Sequence, residues 1–211
     1  SYLKTKAIKA DLESYEKIKI LLVGNDDDNK TKSAEFLYRC ILCELKHKGK
    51  SYYLDSGRWY EINSDFINLM ESEIDSICVD NELVPYTLTT TNEGAYNANA
   101  SSQLGLLCLD RKDIAPKGET QIEPCDILKI NPDRLDMYHI KISTRSSMLS
   151  HLFNQGYASI ATLRNHEESK NKLATLCGNG PLSTNYRVVY GIVTENNPSL
   201  KSKNLPLFSK I

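Results

Sequence analysis

The sequence between residues 122 and 143 reads IEPCDILKINPDRLDMYHIKIS. Two apolar runs in this stretch, 122–130 and 137–143, are predicted to be strands. Four further elements are predicted around them in the second half of the chain: a helix at 91–100, a strand at 104–109, a helix at 146–163 and a strand at 187–194. The predicted order of this half is therefore αβββαβ.

The first half of the chain has a different pattern, typical of a β-meander followed by a covering helix. After an N-terminal helix and strand within 1–23, three strands are predicted at 38–46, 51–54 and 59–62. The turns between the three strands carry Gly49 and Gly57. A helix then begins at Asn63 or Ser64 and has apolar residues at helical spacing up to Ile77.

Pro85 and the threonine-rich run 87–91 interrupt both patterns, which indicates a boundary between the halves. We therefore expect an N-terminal region at 1–85 and a core at 86–211, which together form a mixed α/β (α+β) protein. The two regions are also compatible with one continuous globule.

Composition places the chain among ordinary globular proteins. It has 211 residues, of which 40% are apolar and 25% charged, and its net charge is −1. No stretch approaches the roughly 18 apolar residues of a membrane span, and residues 1–10 contain no secretory signal. The six cysteines lie in apolar surroundings that suit reduced core thiols. We expect a soluble cytoplasmic protein, and the net charge neither requires nor excludes a nucleic-acid partner.

Four polar residues fall on the predicted elements in a pattern that suits metal-dependent chemistry. Glu93 lies in the first turn of the helix, Asp126 on the second strand, and His139 and Lys141 on the third. Carboxylate oxygens hold Mg²⁺, which activates water, and a lysine orients that water or stabilises developing charge. Because strand residues two apart share a face, one face of the third strand should be functional and the other apolar. For each residue alone there is a simpler interpretation: a turn cap for Asp126, a solvated charge for Lys141, and a hydrogen-bonded sheet residue for His139.

The helix at 146–163 carries a polar stripe beside its apolar face. The stripe consists of residues four apart, which are Ser147, His151, Gln155 and Ser159. It is predicted to contact phosphate or to position site residues, and the alternative is a solvent-facing side. Glu123, close to Asp126, is a further supporting candidate, and Gly156 should allow another element to pack closely.

The element order and the residues Glu93, Asp126, His139 and Lys141 resemble the PD-(D/E)XK, or restriction-endonuclease-like, nuclease superfamily. The resemblance implies that Asp126 is the principal metal ligand, Glu93 a second ligand, His139 a ligand or water-positioner, and Lys141 the catalytic lysine. The implied cofactor is Mg²⁺ or Mn²⁺, and Gln155 would support the site. His139 departs from the superfamily, which usually has a carboxylate there, and imidazole binds Mn²⁺ better than Mg²⁺.

Three further stretches, SSMLSHLFNQG at 146–156, GRWYE at 57–61 and LPLFSKI at 205–211, resemble a sporadically distributed, uncharacterised bacterial family. Members of that family tend to lie among mobile and antiphage-defence genes and are longer chains, which implies that this chain is a truncated or separately encoded domain.

Together the resemblances imply a divalent-metal-dependent endonuclease of antiphage defence that acts on DNA rather than RNA, with a protein partner in a defence assembly and no membrane association. The alternative is a catalytically inactive nuclease-like module that binds nucleic acid or a protein. A purely structural interaction module is the third option.

Overall fold

The computed structural model describes residues 12–23, 31–79, 82–86, 92–143, 145–194 and 198–210. The chain divides into two compact units, Ser1–Met70 and Glu71–Ile211. This division falls earlier in the chain than the boundary expected near residue 85, and the threonine-rich run at 87–91 lies outside the described residues. Helices and sheets are both present, which confirms the mixed α+β class.

The described residues of unit 1 form two small antiparallel sheets with short helices. Its elements are α1 (Leu12–Lys17), β1 (Lys19–Val23), β2 (Thr31–Phe36), a 3₁₀ helix (Leu37–Cys40), β3 (Cys43–His47), β4 (Lys50–Asp55), β5 (Arg58–Ile62) and the start of α2 (Ser64–Ile77). Strand β1 pairs with β2, and β3-β4-β5 form the predicted meander. Strand β3 begins later than predicted, because residues 37–40 form a helical turn.

Both turns of the meander have the backbone that a two-residue hairpin requires. Lys48 and Gly49 have φ angles of 48° and 77°, and Ser56 and Gly57 have φ angles of 50° and 76°. Two successive positive φ values match the right-handed twist of the flanking strands, and glycine adopts them without steric cost. The two glycines therefore allow the two hairpin turns that the sequence predicted.

Little of the apolar surface of unit 1 is buried. Within its described residues the buried apolar side chain is Leu54, whereas Trp59 is 45% and Phe66 49% exposed. Helix α2 has the predicted apolar periodicity, yet none of its residues is buried. The apolar pattern therefore predicted the helix correctly. The burial that was expected of a covering helix is not observed.

Unit 2 contains the predicted αβββαβ order with one additional helix. Its further elements are α3 (Glu93–Leu104), β6 (Leu107–Cys108), β7 (Ile127–Ile130), β8 (Leu135–Ile142), α4 (Ser146–Asn165), α5 (Glu167–Leu176), β9 (Tyr186–Val193) and two 3₁₀ helices (Pro198–Asn204 and Leu207–Ser209). The sheet has the order β6-β7-β8-β9; β7 is antiparallel to β6 and β8, and β9 is parallel to β8. A parallel pair needs a long crossover, which α4 and α5 supply. The sequence did not predict α5, whose few apolar residues give a weak helical pattern.

Strand β7 is shorter than the predicted strand at 122–130, and this difference creates the space for a site. The carboxylate of Asp113 accepts the N–H groups of Ala115 and Ile122, at 2.9 and 3.0 Å, which holds the incoming chain in a loop. Pro124 has no N–H to offer a neighbouring strand. The chain therefore joins the sheet only at Asp126, whose N–H donates to the Tyr138 carbonyl at 2.9 Å.

Helices cover both faces of the sheet. On one face, Tyr96 of α3 packs with Tyr138 and Ile140. On the other face, Met137 packs with Leu163 of α4 and Leu173 of α5. The predicted apolar face of β8 is confirmed, because Tyr138 and Ile140 belong to the core. The other face is buried as well at Met137 and His139, so it is not open along most of the strand.

The segment 82–86 is attached to the same sheet by polar contacts. The Tyr96 hydroxyl donates to the Val84 carbonyl at 2.7 Å, and Arg187 forms an ion pair with Glu82 at 2.7 Å. Burial, together with the nearby Glu82 carboxylate, raises the pKa of Tyr138 to about 12, so its hydroxyl stays protonated and donates to Glu82. These contacts hold the segment 82–86 against the sheet.

All six cysteines are free thiols, as the sequence predicted. Only Cys125 is buried, whereas Cys40, Cys43 and Cys108 are exposed, so the predicted core position holds for one of them. None of the helices in the described ranges has the length and apolar composition that a bilayer span requires.

Candidate active site

A pocket of about 270 Å³ lies where β7 and β8 meet the first turn of α3. Its walls are formed by Asn92, Glu93, Gly94, Asp110, Arg111, Glu123, Asp126, Ile140 and Gln155. Four of these residues are carboxylates that the folded chain brings together from α3, the loop after β6 and the loop before β7. The pocket is therefore strongly acidic.

Three of the carboxylates are close enough to share one cation. Asp110, Glu123 and Asp126 each offer an oxygen atom, and these three atoms all lie within 4.8 Å of one another. Burial, reinforced by the charges of Asp110, Glu93 and Glu123, raises the pKa of Asp126 to about 7. Burial and the Asp110 charge also raise the pKa of Glu123, although the Arg111 backbone and charge partly oppose this rise. Crowding of this kind favours either a bound proton or a bound cation.

The position of Asp126 is fixed by strand β8. Its Oδ2 atom accepts the Ile140 N–H at 2.6 Å, which compensates part of the cost of burying the carboxylate. This bond ties the start of β7 to β8 at the point where the two strands separate. Asp126 is thus held by backbone geometry and does not depend on a flexible side-chain partner.

Glu93 and Lys141 form an ion pair at the edge of the pocket. The Lys141 Nζ atom lies 2.7 Å from Glu93 Oε1, and the Ile142 N–H donates to Glu93 Oε2 at 3.1 Å. Both carboxylate oxygens are therefore engaged, and they attach the start of α3 to the end of β8. Asn92 caps the helix, since its Oδ1 accepts the Ala95 N–H at 2.8 Å.

Gly94 allows the loop that carries Asp110 to approach α3. A Cβ atom at position 94 would lie 3.1 Å from Asp110 Oδ2, closer than side chains ordinarily pack. Asp110 and Arg111 were not among the candidates from sequence. The signal for them was their position directly after the predicted strand at 104–109, because strand ends frequently carry site residues.

His139 lies outside this pocket. Its side chain is 2% exposed, and its Nε2 atom lies 3.4 Å from the Ser159 hydroxyl on α4. That hydroxyl donates to the Gly156 carbonyl at 3.1 Å, so the imidazole supplies the N–H of the pair. Burial lowers the pKa of His139 to about 4, which makes the ring neutral at physiological pH. The structure therefore does not bring His139 together with Asp126, Glu93 and Lys141.

A family model described as a family of unknown function, DUF6119, matches residues 1–211. The chain belongs to the DUF6119 family. No curated protein and no solved structure matches it significantly.

The supporting candidates of this DUF6119 chain divide into two groups. Gln155 and Glu123 line the pocket, as a supporting role requires. Ser147 and His151 are exposed and are not among the lining residues, although the His151 charge lowers the pKa of Glu123 slightly. The polar stripe on α4 thus runs from exposed Ser147, past the pocket at Gln155, to fully buried Ser159.

His139 gives the DUF6119 chain a testable dependence of stability on pH. Its pKa is 6.5 when unfolded and about 4 when folded, so the unfolded chain binds more protons between these values. Burial of a protonated His139 would cost the folded protein about 3 kcal/mol. This cost is absent above pH 6.5 and develops as the pH falls toward 4. Urea unfolding of the wild type and of His139→Gln should show the stability advantage of the wild type shrinking by this amount. A constant difference between pH 7 and pH 4 would contradict the assignment of a buried neutral imidazole.

Proposed function

We propose that this chain is a divalent-metal-dependent nuclease domain that cleaves DNA phosphodiesters. The observation that carries the proposal is the meeting of Asp110, Glu123 and Asp126 in one pocket whose edge holds the Glu93–Lys141 ion pair. The αβββαβ order of unit 2 supports a PD-(D/E)XK relationship, with Asp126 before the second strand and Lys141 on the third. Its setting would be the cytoplasm of a bacterium, in antiphage defence, as the family resemblance suggests.

The donor set suits a hard cation. Three carboxylate oxygens within 4.8 Å of one another match the preference of Mg²⁺ and Mn²⁺ for oxygen ligands. Burial raises the pKa of Asp126 most, and the charges of Asp110, Glu93 and Glu123 add to the rise; a divalent cation would relieve this charge repulsion. Asp110, Glu123 and Asp126 would hold the metal, which would supply an activated water and neutralise charge on the scissile phosphate.

The remaining residues of the pocket have separate roles. Lys141 would orient the attacking water and stabilise negative charge that develops on the phosphate. Glu93 would act as a positioning residue for Lys141, because both Glu93 carboxylate oxygens already accept hydrogen bonds. Gln155, from α4, would hydrogen-bond the water or a phosphate oxygen. The predicted roles of Glu93 and His139 as metal ligands stay predictions, and His139 is the less suited because it is buried against Ser159.

Nicking of supercoiled plasmid DNA tests the proposal. The wild type is expected to convert plasmid to open circles in Mn²⁺ or Mg²⁺ and to be inactive in EDTA. Asp126→Ala and Lys141→Ala should each reduce the rate by about 100-fold or more, because each removes a group that acts on the reacting atoms. Asp133→Ala is the matched control, since Asp133 is exposed and lies outside the pocket. Undiminished cleavage in both pocket variants would refute the proposed catalytic roles of Asp126 and Lys141.

A catalytically inactive binding module is the second candidate, and one observation favours it. The position two residues before Lys141, where the PD-(D/E)XK motif has a carboxylate, is occupied by a buried neutral histidine. A chain that binds DNA in a salt-dependent manner, yet cuts it with none of Mg²⁺, Mn²⁺ and Co²⁺, would support this alternative. Active cleavage would exclude it.

A further inference from the structure

Arg111 is the positively charged residue among those described that line the acidic pocket. It follows Asp110 directly in the chain, and its charge is close enough to Glu123 to lower the pKa of that carboxyl group. Its side chain is exposed. A positive charge thus lies at the wall of a pocket that otherwise repels anions.

The guanidinium of Arg111 has no partner in the part of the chain that the structure describes. Among the described residues it forms no ion pair and donates no hydrogen bond, although four carboxylates line the same pocket. Two other cations of unit 2 with acidic neighbours are paired: Arg187 contacts Glu82 and Asp136, at 2.7 and 3.0 Å, and Lys141 contacts Glu93. Arg111 therefore has five N–H donors available for a ligand in the pocket.

The backbone holds Arg111 in a defined place. The Lys112 N–H donates to the Leu109 carbonyl at 3.0 Å, which closes a turn around Asp110 and Arg111. The Gln121 side-chain amide donates to the Arg111 carbonyl at 3.4 Å. The guanidinium therefore extends from a fixed point next to the Asp110 carboxylate, which is one of the three proposed metal ligands.

We propose that Arg111 binds a phosphate group of the nucleic-acid substrate and so positions the backbone against the carboxylate cluster. This inference rests on the proposed nuclease function and names the residue that recognises the substrate. Two parallel N–H groups of a guanidinium match two phosphate oxygens, a geometry that lysine cannot reproduce. The carboxylates alone would hold a cation and repel DNA. Lys141 at the pocket edge is already paired with Glu93, so Arg111 adds a second positive charge that is available to a phosphate.

Arg111→Gly is the most informative variant because it removes the guanidinium without straining the fold. Arg111 has a φ angle of 60°, which is the left-handed conformation that glycine adopts freely. The variant should therefore fold at least as stably as the wild type. Arg111→Lys keeps the charge and loses the fork of donors, and Arg164→Ala is the control, because Arg164 is an exposed arginine outside the pocket.

Binding is measured by fluorescence anisotropy of a short labelled DNA duplex, with Ca²⁺ replacing Mg²⁺ to prevent cleavage. Arg111→Gly is expected to raise Kd about tenfold and to lower the slope of log K against log salt by about 0.9, the value of one lost phosphate contact. Arg111→Lys should fall between the wild type and the glycine variant, and Arg164→Ala should bind like the wild type. Binding of Mn²⁺ alone, followed by calorimetry, should be unchanged or tighter in Arg111→Gly.

An unchanged Kd and salt slope in Arg111→Gly would overturn the inference, even if the wild type cleaves plasmid and the nuclease proposal stands. A combined loss of DNA and Mn²⁺ binding would also overturn it, because that result indicates a structural role for the arginine. DNA binding that depends on Arg111 in a protein that never cleaves would support the inference and refute the nuclease proposal.

Discussion

Asp126→Asn is expected to abolish metal-dependent cleavage and at the same time to stabilise the metal-free protein. The two effects have one cause, which is that Asp126 is a buried carboxylate surrounded by other carboxylates. The amide oxygen still accepts the Ile140 N–H, so the hydrogen bond at the start of β7 is retained. It removes the negative charge, and with it the proposed metal ligand.

The size of the stability change follows from the pKa of Asp126. The rise of this pKa from 3.8 to about 7 corresponds to a cost of about 4 kcal/mol when the carboxyl group is ionised. A folded-state pKa above the unfolded value makes this cost complete above pH 7, and the cost disappears as the pH falls toward 3.8. Because a buried amide has its own desolvation cost, Asp126→Asn should gain about 2 kcal/mol near pH 8 and much less near pH 5.

Urea unfolding in EDTA at both pH values measures the gain, and plasmid nicking in Mn²⁺ measures the loss of activity. Asp133→Asn, an exposed change outside the pocket, should alter neither quantity. A less stable Asp126→Asn protein near pH 8 would mean that the carboxylate is stabilised in the fold, contrary to the electrostatics of the pocket.

Gly156→Ala is expected to destabilise unit 2 by about 1 to 3 kcal/mol, the usual cost of overpacking. A Cβ atom at this position would lie 2.6 Å from the Tyr190 hydroxyl oxygen and 2.7 Å from its Cε1 atom. The Tyr190 ring is held by Phe153, whose ring centroid is 5.0 Å away and whose carbonyl accepts the Tyr190 hydroxyl. The ring therefore cannot move aside without losing these contacts.

A double-mutant cycle with Tyr190→Ala isolates this contact. In the Tyr190→Ala background, Gly156→Ala should stabilise the protein by up to about 1 kcal/mol, because alanine is the better helix former. Since Gln155 is adjacent to Gly156 and lines the pocket, the single variant should also cleave DNA more slowly. An equal effect of Gly156→Ala in both backgrounds would show that Tyr190 is not the obstacle.

The sequence predicted the elements of unit 2 better than their bounds. Alternating and helical apolar patterns located α3, α4, β8 and β9, and the prediction that Gly156 allows close packing is confirmed by its contact with Tyr190. The patterns placed the start of β7 too early, because Ile122 is apolar but its N–H bonds to Asp113 and not to a strand. Helix α5 was missed because its sequence is mostly polar.

The candidate site was predicted in part. Asp126, Glu93, Gln155 and Glu123 do line one pocket, and Lys141 reaches its edge through Glu93. His139 and Lys141, which share a face of β8 by alternation, end in different places. His139 is buried against Ser159, whereas Lys141 lies one residue before the end of β8 and its long side chain extends to Glu93 of α3.

The sequence by itself determined the order of helices and strands, the hairpin turns at Gly49 and Gly57, and the short list of polar residues on the third strand and the following helix. These are local properties, because they depend on the spacing of apolar residues and on the conformations that each residue type allows. Only the tertiary structure decided which polar groups meet. The proximity of Asp110 to Asp126, the burial of His139 and the position of Arg111 at the pocket wall depend on distances between residues far apart in the chain, and no local pattern encodes those distances.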